Sequence, residues 1–286
     1  GLAVNGSARL VAWLSSMARL VQSGMIYHYE IAMKFAGGVA AWWLHHPAQY
    51  GRLLQPTMSS PFPYLSGAIW IPILFGVFVL AFGKDRNAGF VRVVSLVGAL
   101  AGLLATIPLF TRFDRTSSAM QFVEKMPWID RFSVNYHLGI DGLSVWFILL
   151  TAFITVIVVI AGWEVIQERV AQYMASFLIL SGLMIGVFAA LDGLLFYVFF
   201  EATLIPMYII IGIWGGANRV YAAFKFFLYT LLGSLLTLVA FIYLYNQSGG
   251  SFDIAAWHRL PLGSTAQTLL FFALFAAFAV KVPMWP

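Results

Sequence analysis

The strongest constraint on this 286-residue chain is a succession of uninterrupted apolar runs, each about as long as a bilayer is thick. A hydrocarbon core of about 30 Å is crossed by roughly 20 helical residues. By that measure eight candidate spans follow one another: Tyr27 to Leu44, Tyr64 to Phe82, Phe90 to Phe110, Gly142 to Ala161, Tyr173 to Leu191, Leu194 to Trp214, Tyr221 to Tyr245, and a last one from near Ala266 to the end. The runs are continuous and do not alternate, which selects helices over a barrel. With 62% hydrophobic and 9% charged residues, the chain lies far from the roughly 25% charge of a soluble domain. The fold class that follows is an all-α, polytopic transmembrane helix bundle.

The formal charge of +5 would suggest nucleic acid in a soluble basic domain, but here Lys and Arg are scattered singly between apolar runs, with no basic stripe. Such charge is a topology signal, because basic loops stay on the cytoplasmic side. Lys84, Arg86 and Arg92 in GKDRNAGFVR place that loop inside. Alternation then puts WEVIQERVAQ and WGGANRVYAAFK inside as well, and leaves LDG, Thr111 to Asp141 and Asn246 to Thr265 outside. The chain contains no cysteine, so disulfides, thiolate metal sites and cysteine nucleophiles are excluded.

Ahead of the first span, NGSARLVAWLSSMARLVQSG carries Leu10, Trp13, Leu14, Met17, Leu20 and Val21 at helical spacing, with Arg9, Ser16 and Arg19 off that stripe. This is an amphipathic helix, lying at the membrane interface or packed on a partner; the pattern does not separate the two. The Pro-rich stretch from Leu44 to Pro63 has no periodicity, and Met58 followed by SSPFPYLSGAIW reads as the start of a membrane protein. The expected organisation is a tail over residues 1–46, a junction over 47–57 and a membrane module over 58–286. The opening GLAVNGSARL begins in mid-sequence, as a piece of a longer reading frame does.

Charges inside apolar spans are costly, about 2.5–3.5 kcal/mol each on insertion scales, and they usually mark an ion path. Glu201 lies about 10 Å into its run LLFYVFFEATLIPMYIII. Pro206 follows five residues later and frees the carbonyl of Ala202, weakening the helix beside the acid. Lys225 sits some six residues from the inner end of the next span, within snorkelling reach of the interface. Lys281 ends the run LLFFALFAAFAVKV and is followed by Pro283 and Pro286, the pattern of a broken helix at membrane depth. The alternatives are a hydrogen-bonded structural acid at 201 and interfacial lysines at 225 and 281. An acid and a base buried at similar depth suit proton transfer: burial disfavours either charge, and proximity of one to the other restores both.

Other features point to structure. Asp141 in LGIDGLSVWF precedes a span, where a carboxylate caps free amides. His28, His45, His46, His137 and His258 lie near span ends or in loops without metal-ligand spacing. No phosphate-cradling glycine motif, nucleophile triad or haem signature is present, so the chain carries no redox chemistry of its own.

Taken together, YHLGIDGLSVWFILLT, LLFYVFFEATLIPMYIIIGIWGG, AAFKFFLYTLLGSLLTL and AFAVKVPMWP resemble the M-subunit family of proton-pumping NADH:quinone oxidoreductase, respiratory complex I, over about Met58 to Pro286. The family is antiporter-like and shares its module with multisubunit cation/proton antiporters. The resemblance implies that Glu201 is the key acid, that Lys281 lies on a discontinuous helix and pairs with it, and that Lys225 is a further polar residue near the pair. It also implies a second half after Pro286. Partners would be the L-like and N-like antiporter subunits in a bacterial inner (plasma) membrane. NADH, FMN, iron–sulfur clusters and quinone would be handled by partner subunits, with no cofactor bound by this chain. The N-terminal part instead resembles the end of the L subunit, its lateral-helix tail and last membrane helix, as a fusion or a read-through between neighbouring genes would produce. A subunit of a multisubunit Na⁺/H⁺ antiporter is the alternative reading.

Overall fold

A computed structural model of the chain describes residues 63–282. The amphipathic stretch, the candidate span Tyr27 to Leu44, the junction, Met58 and the residues after Val282 lie outside the described residues. Within them, seven membrane-length helical spans are present. They are α1 (Tyr64–Phe82), α2 (Ala88–Thr111), α3 (Ser144–Val165), α4 (Val170–Ala189), the broken span α5 (Gly193–Ala202) plus α6 (Leu204–Trp214), α7 (Arg219–Gln247) and α9 (Ser264–Lys281). A short helix α8 (Ile254–Trp257) lies in the loop between α7 and α9. The seven expected spans that fall among the described residues are found, with ends shifted by a few residues.

The bundle is built around α4. Of its membrane-length window 56% is buried, against 6% for α9, which stands at the edge against α7. Small residues allow the close packing that substitutes for the hydrophobic effect in lipid. Gly182 of α4 meets α1 so tightly that a Cβ there would lie 2.3 Å from the Ile69 carbonyl oxygen. Leucines and phenylalanines on the other sides, such as Leu74, Phe82, Leu104 and Leu232, are exposed, as lipid-facing side chains are.

Alternation of the loops is visible in the contacts. At one end Asp85 accepts hydrogen bonds from the Arg169 and Val170 amides, capping α4. Arg92 donates to the Ile166 carbonyl at 3.0 Å, and the Trp214 indole donates to the Glu168 carbonyl at 3.2 Å. The three loops expected inside therefore share one end.

The opposite end departs from an all-helical reading. The segment after α2 folds into a two-stranded antiparallel hairpin, β1 (Gln121–Ile129) and β2 (Val134–Ile140), with Lys125 opposite His137 and Met126 opposite Tyr136. Its turn is a 3₁₀ piece, Asp130–Phe132, closed by Ser133 at φ 52°. Phe122, Leu138 and Ile140 are buried against Leu65, Ile69, Leu195 and Phe199, so the hairpin caps the bundle. Glu124 secures it: the carboxylate accepts from the Leu65 and Ser66 amides at the start of α1 and from the Ser66 hydroxyl. Asp141 behaves as expected, accepting from the Ser144 amide and hydroxyl, each at 2.7 Å.

Candidate proton-transfer site

The site is assembled where α5 and α9 end beside the middle of α7. α5 begins at Asp192, which is 1% exposed and accepts hydrogen bonds from the Leu194 and Leu195 amides. The same carboxylate accepts from the Asn135 amide of β2 at 3.0 Å. Main-chain bonds reinforce the anchor: Leu191 N–H donates to the His137 carbonyl, Gly193 N–H to Phe252 and Ile254 N–H to Leu191. Gly193 is required because Trp257 lies over it, its ring 2.2 Å from where a Cβ would stand. The helix carrying Glu201 is thus fixed at its outer end to the hairpin and to the α7–α9 loop.

The helix stops near the acid. α5 ends at Ala202 and α6 starts at Leu204, with Thr203 between them. Pro206 cannot donate to the Ala202 carbonyl, so the ladder is weakest here, as the sequence predicts. The break leaves the Phe200 carbonyl serving two side chains: the Thr203 hydroxyl donates to it at 2.7 Å and the Lys281 ammonium at 3.1 Å. Lys281 also stands 3.3 Å from the centre of the Phe200 ring, a cation–π arrangement that partly offsets its lost hydration. It reaches there because α9 closes on α7 with Val280 against Gly233, a Cβ at which would lie 3.0 Å from the valine.

Glu201 is next to this contact. Both its carboxylate oxygens are buried and have no hydrogen-bond partner among the described residues. The Lys281 ammonium is close enough for the two charges to interact, yet it donates to the backbone of Phe200 and not to the carboxylate. Two polar residues that sequence reasoning did not single out complete the surroundings. Ser234 of α7 adjoins Glu201 and the Tyr197 phenol. The sequence signal was available: Thr230, Ser234 and Thr237 form the buried stripe of α7 at helical spacing, and Tyr197 precedes Glu201 by one turn.

Lys225 is not brought to this cluster. It is exposed on α7, nine residues before Ser234. That separation is about 13 Å along the axis and half a turn in azimuth.

A second group of titratable residues lies outside the membrane spans, at the hairpin end. Lys125 is 4.0 Å from Asp253. Burial pushes the His137 imidazole below its usual range, opposed by the nearby Asp253 and reinforced by Lys125. Burial pushes His258 down to about 4, again against Asp253. Burial also raises the Asp192 carboxyl, although the three amides it accepts from pull the other way. Among the described residues no group of three His, Asp or Glu side chains is placed to hold a metal ion.

Comparison with known proteins gives this geometry a family. Residues 94–189 match the model described as NADH-ubiquinone oxidoreductase chain 4, amino terminus, and residues 190–286 match NADH:quinone oxidoreductase/Mrp antiporter, TM. NADH-quinone oxidoreductase subunit M of Rhodobacter capsulatus is 49% identical over 216 residues, 71% of this chain and 41% of that protein. The chain belongs to the M-subunit (chain 4) family. Another M-family relative, NADH-ubiquinone oxidoreductase chain 4 of Arabidopsis thaliana, is 43% identical over 78% of this chain and 45% of its own length. The chain thus spans less than half the length of these M-family relatives. A chain of respiratory complex I from Thermus thermophilus superposes with TM-score 0.65 at 31% identity, over 77% of this chain and 44% of that one. A chain of the Mrp complex from Dietzia sp. superposes at 0.63 with 16% identity, over 76% and 23%, which shows the shared fold alone. The described part of this M-family chain is therefore an antiporter-like, multi-pass membrane module.

Proposed function

We propose that this chain belongs to a proton-translocating M-type module, within a complex whose partner subunits pass electrons from NADH to quinone. Glu201 is the group that gains and loses the proton, and Lys281 is the movable charge that governs it. The observation carrying this reading is the broken helix at Thr203, where a buried carboxyl with no hydrogen-bond partner among the described residues lies near a half-buried lysine that is held by the Phe200 carbonyl. A lysine that can pair with either a carbonyl or a carboxylate has two positions within a few ångströms. In the interior, moving a charge that far changes the acid's proton affinity substantially. Lys225 enters only as a distant charge on the inner half of α7. The partners are the L-like and N-like antiporter subunits, in a bacterial plasma membrane. Residues 1–46 belong to an L-like tail joined to the module; a peptide spanning Leu44 to Met58 in mass spectra of the purified protein would support the fusion, and Met58 as the N-terminus would refute it.

The test is Glu201→Gln and Lys281→Met in the assembled complex, with NADH-driven proton uptake measured in membrane vesicles alongside electron transfer. Each variant is expected to lose proton movement per electron transferred. Unchanged proton movement in both would refute the assignment. The Na⁺/H⁺ antiporter reading is disfavoured by the 49% identity to a protein named for quinone reduction.

A further inference from the structure

Glu201 has a second set of neighbours besides Lys281. Tyr197 lies four residues earlier on α5, a spacing that puts both side chains on one face of the helix. From α7, Ser234, fully buried, adjoins both of them. Its hydroxyl proton points elsewhere, donated to the Leu231 carbonyl at 2.9 Å. Leu231 lies inside α7, so that carbonyl also serves the helix's own ladder and does not depend on Ser234. Meanwhile both Glu201 oxygens lack a hydrogen-bond partner among the described residues. One turn further along the same stripe, the Thr237 hydroxyl is fully buried and equally unpartnered. A buried polar atom without a partner is rare enough to need an explanation.

We propose that Ser234 and Tyr197 form a hydroxyl switch that serves as the alternative partner of Glu201 when Lys281 is engaged by Phe200. A serine hydroxyl carries one donor and two acceptor sites and swings about a single bond. Rotation of Ser234 from Leu231 to Glu201 gives the carboxylate a donor, and the Tyr197 phenol then donates to the serine oxygen. No proton changes owner and no backbone moves. The switch makes the ionised acid tolerable at the moment its lysine is elsewhere, which is the state the lysine's binding to Phe200 creates. Among the described residues, Lys281 from α9 and Tyr197 from α5 are the titratable groups facing Glu201, and Ser234 is the polar group facing it from α7. Ser234 and Tyr197 are therefore positioning residues.

This inference rests on the proposed role of Glu201, so Glu201→Gln serves as the control. Ser234→Ala, Ser234→Thr and Tyr197→Phe are compared with it in the assembled complex, reading NADH-driven proton uptake as a function of pH at matched electron-transfer rate. Ser234→Ala is expected to displace the pH midpoint of proton uptake by about one unit or more, the size of a hydrogen bond to a charged group, and Tyr197→Phe, which removes the bond to the neutral serine oxygen, by about half a unit in the same direction. Ser234→Thr keeps the hydroxyl and is expected to restore the original midpoint. Tyr197→Phe keeps the ring and its packing, so it decides alone if Ser234→Ala fails to assemble. Original midpoints in both hydroxyl deletions, with Glu201→Gln inactive, would overturn the switch. Normal proton uptake in Glu201→Gln would overturn the role of Glu201 itself.

Discussion

Removing the Asp192 carboxylate should detach the helix that carries Glu201 from its outer anchor. In Asp192→Ala three amides lose their acceptor: Leu194 and Leu195 at the start of α5, and Asn135 on β2. Loss of the cap costs about 0.5–2 kcal/mol, and leaving the partly buried Asn135 amide unpaired adds about 1–3 kcal/mol. A local destabilisation of about 2–4 kcal/mol follows. Asp192→Asn is the informative companion. One carboxylate oxygen serves the helix and the other serves β2, so whichever way the amide is turned, its NH₂ faces an N–H. Half the anchor is lost, about 1–2 kcal/mol. Hydrogen exchange followed by mass spectrometry on the intact protein reads both sides. Peptides covering residues 133–138 and 192–196 should exchange about 30-fold faster or more in Asp192→Ala, since about 1.4 kcal/mol is a factor of ten where local opening controls exchange. In Asp192→Asn one of the two peptides should accelerate more than the other. Unchanged exchange at both in Asp192→Ala would refute the reasoning that this carboxylate holds hairpin and helix together.

Two further outcomes are expected. Gly182→Ala sets a methyl group 2.3 Å from the Ile69 carbonyl and 2.5 Å from the Ile73 side chain; forcing α1 from α4 should cost about 1–3 kcal/mol, seen as a lower midpoint of thermal unfolding in detergent. For His258, burial holds the imidazole at about 4 against 6.5 ordinarily, so the unfolded segment takes up a proton first as pH falls. The stability it contributes is full above about 6.5 and is lost towards pH 4. Exchange over residues 248–263 should accelerate across that window in the native protein and less in His258→Gln.

The sequence by itself determined the membrane spans, because in lipid the backbone must satisfy its own hydrogen bonds, and helices of bilayer length are then fixed by apolar run length alone. It marked Glu201 and Lys281 for the same reason, since a charge in such a run is costly enough to be conspicuous. It also located the helix break, because proline removes a specific bond. The hairpin escaped it: QFVEKMPWI and VNYHLGI alternate poorly, and Pro127 interrupts the first strand. What makes them strands is burial against the bundle end and the Glu124 clamp on α1, both long-range. Asp192 looked like a loop residue and proved to be an anchor for the same reason, as one of its three amide partners lies 57 residues away. At the site, chain order placed Ser234, Tyr197 and Lys281 on three separate helices, and the sequence reading marked Lys225 of α7 while passing over Ser234 of the same helix. Which of them faces Glu201 was decided by the azimuth of α7 and by the closure of α9 on Gly233. Small-residue contacts set those angles between helices, and no single apolar run encodes them.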